Sequence, residues 1–415
     1  MPVQYSNLEH TVETIVDSTP IFDMHTHLYP PAFQGLLLWG IDELLTYHYL
    51  IAEVLRVSPI SPEEFYQMSK SQQADLIWDE LFIHRSPISE ACRGVVTTLE
   101  ALNLDPSERD LNAIREWYSK QSIESFIDLV FSQSNLSGAV MTNDPFDATE
   151  RHFWDTVGNE HPKLWAALRI DPLLLNWDQA VEEIRQQGYS VSSNLDQNTI
   201  SEVKRFLEDW CKRINPRYMA VSLPPSFTYP DHSITTTLLD ECILPFSRQF
   251  DLPFAMMIGV KRQINPALKL AGDSVGKADL SALENMCAKY PENRFLVTLL
   301  SRENQHEFCV IARKFGNLLP FGCWWFVNNP SIIEEMTRER LELLGWSFVP
   351  QHSDARVLDQ LLYKWPHSRK VIARVLTDKY QDMVNAGWRV TRAEISRDVN
   401  RLFTQNFNEF APPFS

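Results

Sequence analysis

No stretch of this 415-residue chain is apolar for long enough to cross a bilayer, which excludes a helical membrane anchor. The opening Met1-Pro2-Val3-Gln4-Tyr5-Ser6 lacks the basic start and apolar core of a secretory leader, so a cytoplasmic protein is expected. Basic residues are scarce: 38 Lys+Arg stand against 54 Asp+Glu, a net charge of -16. Such a surface repels nucleic acid and anionic lipid, which removes both as partners. Any anionic ligand then needs a local cationic pocket. The six cysteines (Cys92, Cys211, Cys242, Cys287, Cys309, Cys323) form no C-x-x-C pair. They fit buried free thiols in a reducing compartment better than a disulfide framework. Only 13 glycines occur, which argues against long flexible linkers, and no internal repeat or low-complexity segment stands out.

What is there begins with Ile21-Phe22-Asp23-Met24-His25-Thr26-His27-Leu28. In a β-strand, residues two apart share a face. Alternation therefore sends His25 and His27 to one side and Met24, Thr26 and Leu28 to the other. Two imidazoles aimed at one point suit a borderline cation such as Zn²⁺. Residues 29–135 read as one helical insertion. From Ile41 the apolar positions Ile41, Leu44, Leu45, Ala52 and Leu55 carry helical spacing, with His48 on the stripe and Tyr49 beside it. Ser61-Pro62-Glu63-Glu64 is a capping box with proline at the first helical position. A second box runs from Thr391 to Glu394.

Beyond residue 135 short apolar strands alternate with helical stretches: 136–142, 164–170, 218–223, 253–259, 294–300, 319–326 and 347–350. With the first strand these make eight. The expected fold is α/β, a (β/α)₈ TIM-type barrel with a large helical insertion after strand 1 and extra C-terminal helices. An open doubly wound sheet is the alternative, but no glycine-rich turn follows the first strand. The implied division is a barrel of 1–28 and 136–377, an insertion of 29–135, and helices of 378–415 packed on the barrel.

A barrel carries its chemistry at the C-terminal strand ends. Asp354, at the end of the last strand, is the candidate third metal ligand, giving two imidazoles and one carboxylate around an open position. A helix N-cap is its alternative role. The middle strand ends bring no histidines of the kind a bridged two-metal centre wants, so one divalent metal ion is expected. Arg169, Arg302 and Arg356 place three guanidiniums near one rim. With no phosphate cradle present, they imply a carboxylate-bearing small substrate. His48-Tyr49 and Trp324-Trp325 are, by pattern alone, core as readily as site.

Asp23-Met24-His25-Thr26-His27, Trp324-Trp325-Phe326 and Asp354-Ala355-Arg356 together resemble the uronate isomerases of the amidohydrolase superfamily. The likeness runs end to end, helical insertion included. It is nearest a shorter bacterial branch, through Leu44-Leu45-Thr46-Tyr47-His48-Tyr49 and Arg302-Glu303-Asn304-Gln305-His306. The resemblance implies interconversion of D-glucuronate with D-fructuronate and of D-galacturonate with D-tagaturonate. It implies His25, His27 and Asp354 as metal ligands, zinc being the usual occupant. His48, Tyr49, Arg169, Trp325 and Arg356 would line the substrate, which moves His48-Tyr49 from core to site. For a C2-to-C1 proton transfer, Tyr49 is the expected base, its phenol pKa lowered by His48, Arg356 and the cation, with Asp354 as the competing base. Arg356 would stabilise the enediolate, and Arg169 would hold the substrate carboxylate. The runner-up is a one-metal hydrolase or decarboxylase acting on a lactone or carboxylic acid. A non-catalytic sugar-acid-binding protein is the third reading. Assembly into a homo-oligomer is left open.

Overall fold

A computed structural model describes residues 7–413. The opening residues 1–6 and the last two residues of the 378–415 segment lie outside the described residues. Seven parallel strands form one sheet in chain order: β1 (Ile21–Thr26), β2 (Leu136–Asn143), β3 (Leu164–Arg169), β4 (Pro216–Leu223), β5 (Phe254–Ile258), β6 (Phe295–Leu299) and β7 (Leu318–Pro320). Each neighbouring pair is parallel. Helices between successive strands make every connection a crossover, as parallel pairing requires.

Side-chain parity separates two apolar layers. Phe22, Val140, Ala167, Ala220, Met257 and Leu296 pack together on the concave side of the curled sheet. Their strand neighbours Ile21, Met141, Leu168, Val221, Met256 and Val297 pack outward against the helices. This is why the strands read as continuous apolar runs: both faces are covered. The curl is consistent with a TIM-type barrel.

The expected eighth strand is not regular. At Ser347–Pro350 only Val349 forms a bridge, to Phe321. Pro350 has no N–H to extend a ladder, and the chain then turns inward. Single hydrogen bonds stitch this segment to both sheet edges: the N–H of Val349 donates to the Pro320 carbonyl (2.9 Å), that of Asp354 to the His25 carbonyl (3.1 Å), and that of His27 to the Ala355 carbonyl (2.7 Å). Two buried groups brace the seam. Asp23 accepts the Ser353 N–H (3.1 Å) and the Trp365 indole N–H (2.8 Å). The Lys364 ammonium donates to the Ser353 carbonyl (2.6 Å).

Residues 41–55 are not one helix. Ile41–Leu45 and His48–Val57 are separate, because Tyr47 between them is extended. The break puts His48 and Tyr49 in the first turn of the second helix. The capping boxes at Ser61–Glu64 and Thr391–Glu394 both form. The helix Leu361–Asn385 passes through residue 378 without a break. All six cysteines are buried and unbridged. Among the described residues no helix is long and apolar enough to cross a membrane.

Candidate active site

The ligand strand does not alternate simply. Asp23 faces Ala139 and Thr26 faces Met141, so three steps on β1 match two on β2. This extra residue is a bulge, a device that re-aims side chains beside active sites. It corrects the expected pattern: Met24 packs in the concave-side core with Phe22, yet the next residue, His25, also turns to that side and meets Tyr218.

His25, His27 and Asp354 converge, their ligand atoms all within 4.8 Å of one another. Asp354 Oδ1 lies 3.7 Å from His25 Nε2 and 3.2 Å from His27 Nε2. The tautomers follow from what lies behind each ring. The Tyr218 hydroxyl donates to the Met24 carbonyl (2.8 Å), so it accepts from His25 Nδ1–H at 3.1 Å. The Thr142 hydroxyl donates to the Thr26 carbonyl (3.0 Å), so it accepts from His27 Nδ1–H at 2.9 Å. Both Nε2 lone pairs then face a carboxylate oxygen. Burial, its effect outweighing Asp354's, lowers both imidazoles, His27 to about 4, so neither is protonated near neutrality. Burial also pushes the Asp354 carboxyl up, but His27, His25 and Lys364 together pull it well below the ordinary range. Two lone pairs and an anion aimed at one point suit a cation between them, and Asp354 Oδ1 is buried without a hydrogen-bond partner. The residues fit a divalent metal ion. Asp354 is not a helix N-cap; it sits at φ 50°, a conformation Asp tolerates, before the short helix Leu358–Gln360.

Beside the three ligands lies a hollow of about 40 Å³, reached by Arg169, Arg262 and Arg356 and closed by Trp324 and Trp325. Asp171 grips Arg169 through Nε (3.2 Å) and one terminal nitrogen (3.1 Å), which raises the guanidinium pKa further and sets its plane. Arg302 is a correction. It is exposed and bound to Glu335 at 2.8 Å, outside this hollow, because its side chain leaves the strand end toward the neighbouring helix Pro330–Leu344. The third arginine is instead Arg262, held by Asp273 at 2.6 Å. It stands at a strand end that the sequence displays, but nothing in its neighbours Lys261 and Gln263 singles it out.

Trp324 and Trp325 are not on a strand, as expected for 319–326; β7 stops at Pro320. Both are buried, and Trp325 opens a 3₁₀ turn at φ 46°. His48 is buried against Tyr47, Tyr49 and Trp325, with Nε2 unpartnered. Its pKa falls well below 6.5, first through burial and then through Arg356. The Tyr49 phenol goes the other way from expectation. Burial, Tyr47 and Asp354 raise it well above 10, and the opposing pull of Arg356 is smaller. Neither His48 nor Tyr49 lines the hollow beside the cluster; Tyr49 lines a second one, which shares Trp325 with the first.

Tyr218, Thr142, Asp171 and Asp23 position the site, and no motif in the sequence marks them for it. Tyr218 carried the faintest signal, a polar tip on an otherwise apolar inward face.

The curled parallel sheet, consistent with a TIM-type barrel, and a His-His-Asp cluster that could hold a metal ion place the chain in the α/β class. Among solved structures the chain is similar to a uronate isomerase from Bacillus halodurans, at 54% identity over 100% of this chain and 98% of that one, TM-score 0.98. The chain belongs to the uronate isomerase family. A uronate isomerase from Thermotoga maritima (16% identity, 98% and 97% covered, TM-score 0.75) and a glucuronate isomerase from Caulobacter crescentus (14%, 99% and 96%, TM-score 0.76) share the fold. No protein-family model matches the chain, and no curated protein does.

Proposed function

We propose that this protein is a uronate isomerase that converts D-glucuronate to D-fructuronate, and D-galacturonate to D-tagaturonate, by moving a proton from C2 to C1. The observation that carries the reading is the His25–His27–Asp354 cluster facing arginines across a hollow, in a chain 54% identical to a uronate isomerase. A hydrolase or decarboxylase is not favoured by that likeness.

Its scaffold is read as a complete (β/α)₈ barrel of 1–28 and 136–377, with 347–355 standing as the eighth strand, a helical insertion of 29–135 and packed helices from 378. His25, His27 and Asp354 would hold one ion, for which zinc suits two imidazoles and a carboxylate. A divalent ion held there would supply positive charge, the Lewis-acid chemistry that favours a developing oxyanion.

The chain's own groups divide the remaining work. Arg169, its plane set by Asp171, holds the substrate carboxylate, and Arg262 adds charge from the facing strand end. Arg356 faces the C1–C2 end and stabilises the enediolate as its charge develops, the electrostatic contribution that is usually largest. Asp354, ionised at rest, takes the C2 proton and then gives a proton back to C1 of the enediolate, exchanging with solvent between the two steps. Tyr49, kept as a neutral phenol by burial, donates toward the sugar oxygens, and His48 packs beside it to fix its position. Trp325 walls off water.

The test is proton NMR of glucuronate in D₂O with the metal-loaded protein. Ketose carrying deuterium at C1 supports the reading; no ketose, together with hydrolysis of a lactone panel, contradicts it.

A further inference from the structure

Inward positions along β4 run Tyr218, Ala220 and Ser222, because residues two apart on a strand share a face. No register shift interrupts β4 against β5: Ala220 stands opposite Ala255, and Ser222 opposite Met257. Ala220, Ala255 and Met257 all belong to the concave-side core. Ser222 therefore turns the same way, and it lines the hollow beside His25, His27 and Asp354.

Thr142 and Ser222 are the two hydroxyl-bearing side chains in that lining. The Thr142 hydroxyl is committed twice, donating to the Thr26 carbonyl and accepting from His27. The Ser222 hydroxyl meets no partner among the described residues and is half-buried, so its proton and lone pairs remain for a ligand. Its position is tied to Arg169. One oxygen of Asp171, Oδ1, accepts the Ser222 N–H at 3.1 Å and lies 3.1 Å from a terminal nitrogen of Arg169. On the other side of β4, Arg262 reaches the hollow from beyond the end of β5. Ser222 thus stands on the strand between two guanidiniums.

A carboxylate held by Arg169 brings its neighbouring carbon, C5 of a uronic acid, beside β4. In the open chain that carbon carries a hydroxyl; in the closed pyranose the same oxygen is part of the ring and has no proton to give. We infer that Ser222 Oγ hydrogen-bonds the C5 hydroxyl of the open-chain acid and selects its configuration at C5. This contact rests on the isomerase reading for the identity of the acid. C4 lies one carbon farther from the carboxylate, so Ser222 treats the two C4 epimers alike.

Ser222→Ala keeps the backbone N–H that Asp171 accepts and removes only the hydroxyl. Three acids separate the contact from general damage: D-glucuronate, its C4 epimer D-galacturonate, and its C5 epimer L-iduronate, the last used as a competitor of D-glucuronate turnover. With the metal-loaded unmodified protein, L-iduronate is expected to compete with an inhibition constant about threefold or more above the KM of D-glucuronate. In Ser222→Ala the KM values of D-glucuronate and D-galacturonate are expected to rise together by about three- to tenfold, with kcat changed by less than about twofold. The L-iduronate constant is expected to move by less than about twofold. An unchanged KM in folded Ser222→Ala, or an equal weakening of L-iduronate, overturns the inference. Absence of turnover of either uronate by the unmodified protein counts against the isomerase reading instead. Calorimetric affinities of D-glucuronate and L-iduronate for the two proteins then decide the Ser222 contact, and equal losses again overturn it.

Discussion

His25 Nδ1 lies 3.1 Å from the Tyr218 hydroxyl, whose own proton is committed to the Met24 carbonyl. The phenol is therefore an acceptor, and it leaves His25 Nε2 as the lone pair facing Asp354. A bond made behind the ring decides which nitrogen is offered in front of it.

Tyr218→Phe keeps the ring that packs on Phe407 and removes the hydroxyl, losing the acceptor for His25 together with the bond to the Met24 carbonyl. Metal affinity is expected to fall by about 10–100-fold, the range seen when a ligand histidine loses its partner. Competition against a metal-sensitive dye measures it, and an unchanged Kd would show that the tautomer is set elsewhere.

The arginines separate cleanly. Arg169→Lys breaks the two-point grip of Asp171, and a point charge replaces a planar fork. KM for uronates should rise by about tenfold or more, with a smaller effect on kcat. Arg302→Ala, at an exposed pair with Glu335, should leave kcat/KM and Tm unaltered. Steady-state kinetics on the two variants side by side check both.

Tyr49→Phe distinguishes donor from base. If the phenol donates, kcat falls by about 10–100-fold while metal stays bound and the acidic limb of the pH profile keeps its position. Loss of an ionisation from that limb in the variant would return the base role to Tyr49.

Acid should destabilise the metal-free protein through His27. An imidazole in the unfolded chain titrates near 6.5, whereas burial holds His27 to about 4. Between those values the unfolded chain binds a proton that the folded one refuses, so folding stability falls as pH drops from about 6.5 to about 4 and is fully present above that window. Tm measured across the window should fall less in His27→Gln. An equal fall in both proteins would place the sensitivity elsewhere.

Much of this site is visible in the chain itself because parallel strands impose their logic on sequence. The apolar runs that carry His25 and Arg169 announced the parallel sheet, and the resemblance supplied the family. What stayed hidden depends on three-dimensional detail that spacing does not encode. The bulge between Asp23 and Thr26 reverses the facing of one residue, and only its pairing with β2 shows it. Arg302 and Arg262 look alike at strand ends; Glu335, 33 positions away from Arg302, and Asp273 decide where each guanidinium goes. The expected acidity of Tyr49 counted its cationic neighbours and missed the burial that outweighs them.

The central claim is that one cation held by His25, His27 and Asp354 supports uronate isomerisation. Titrating zinc into chelator-stripped protein, while following ketose formation from glucuronate, tests it most directly. Activity is expected to rise in proportion to metal and to saturate at one equivalent per chain, with Asp354→Asn inactive throughout. Full turnover in the stripped protein, or saturation only at two equivalents, would contradict it.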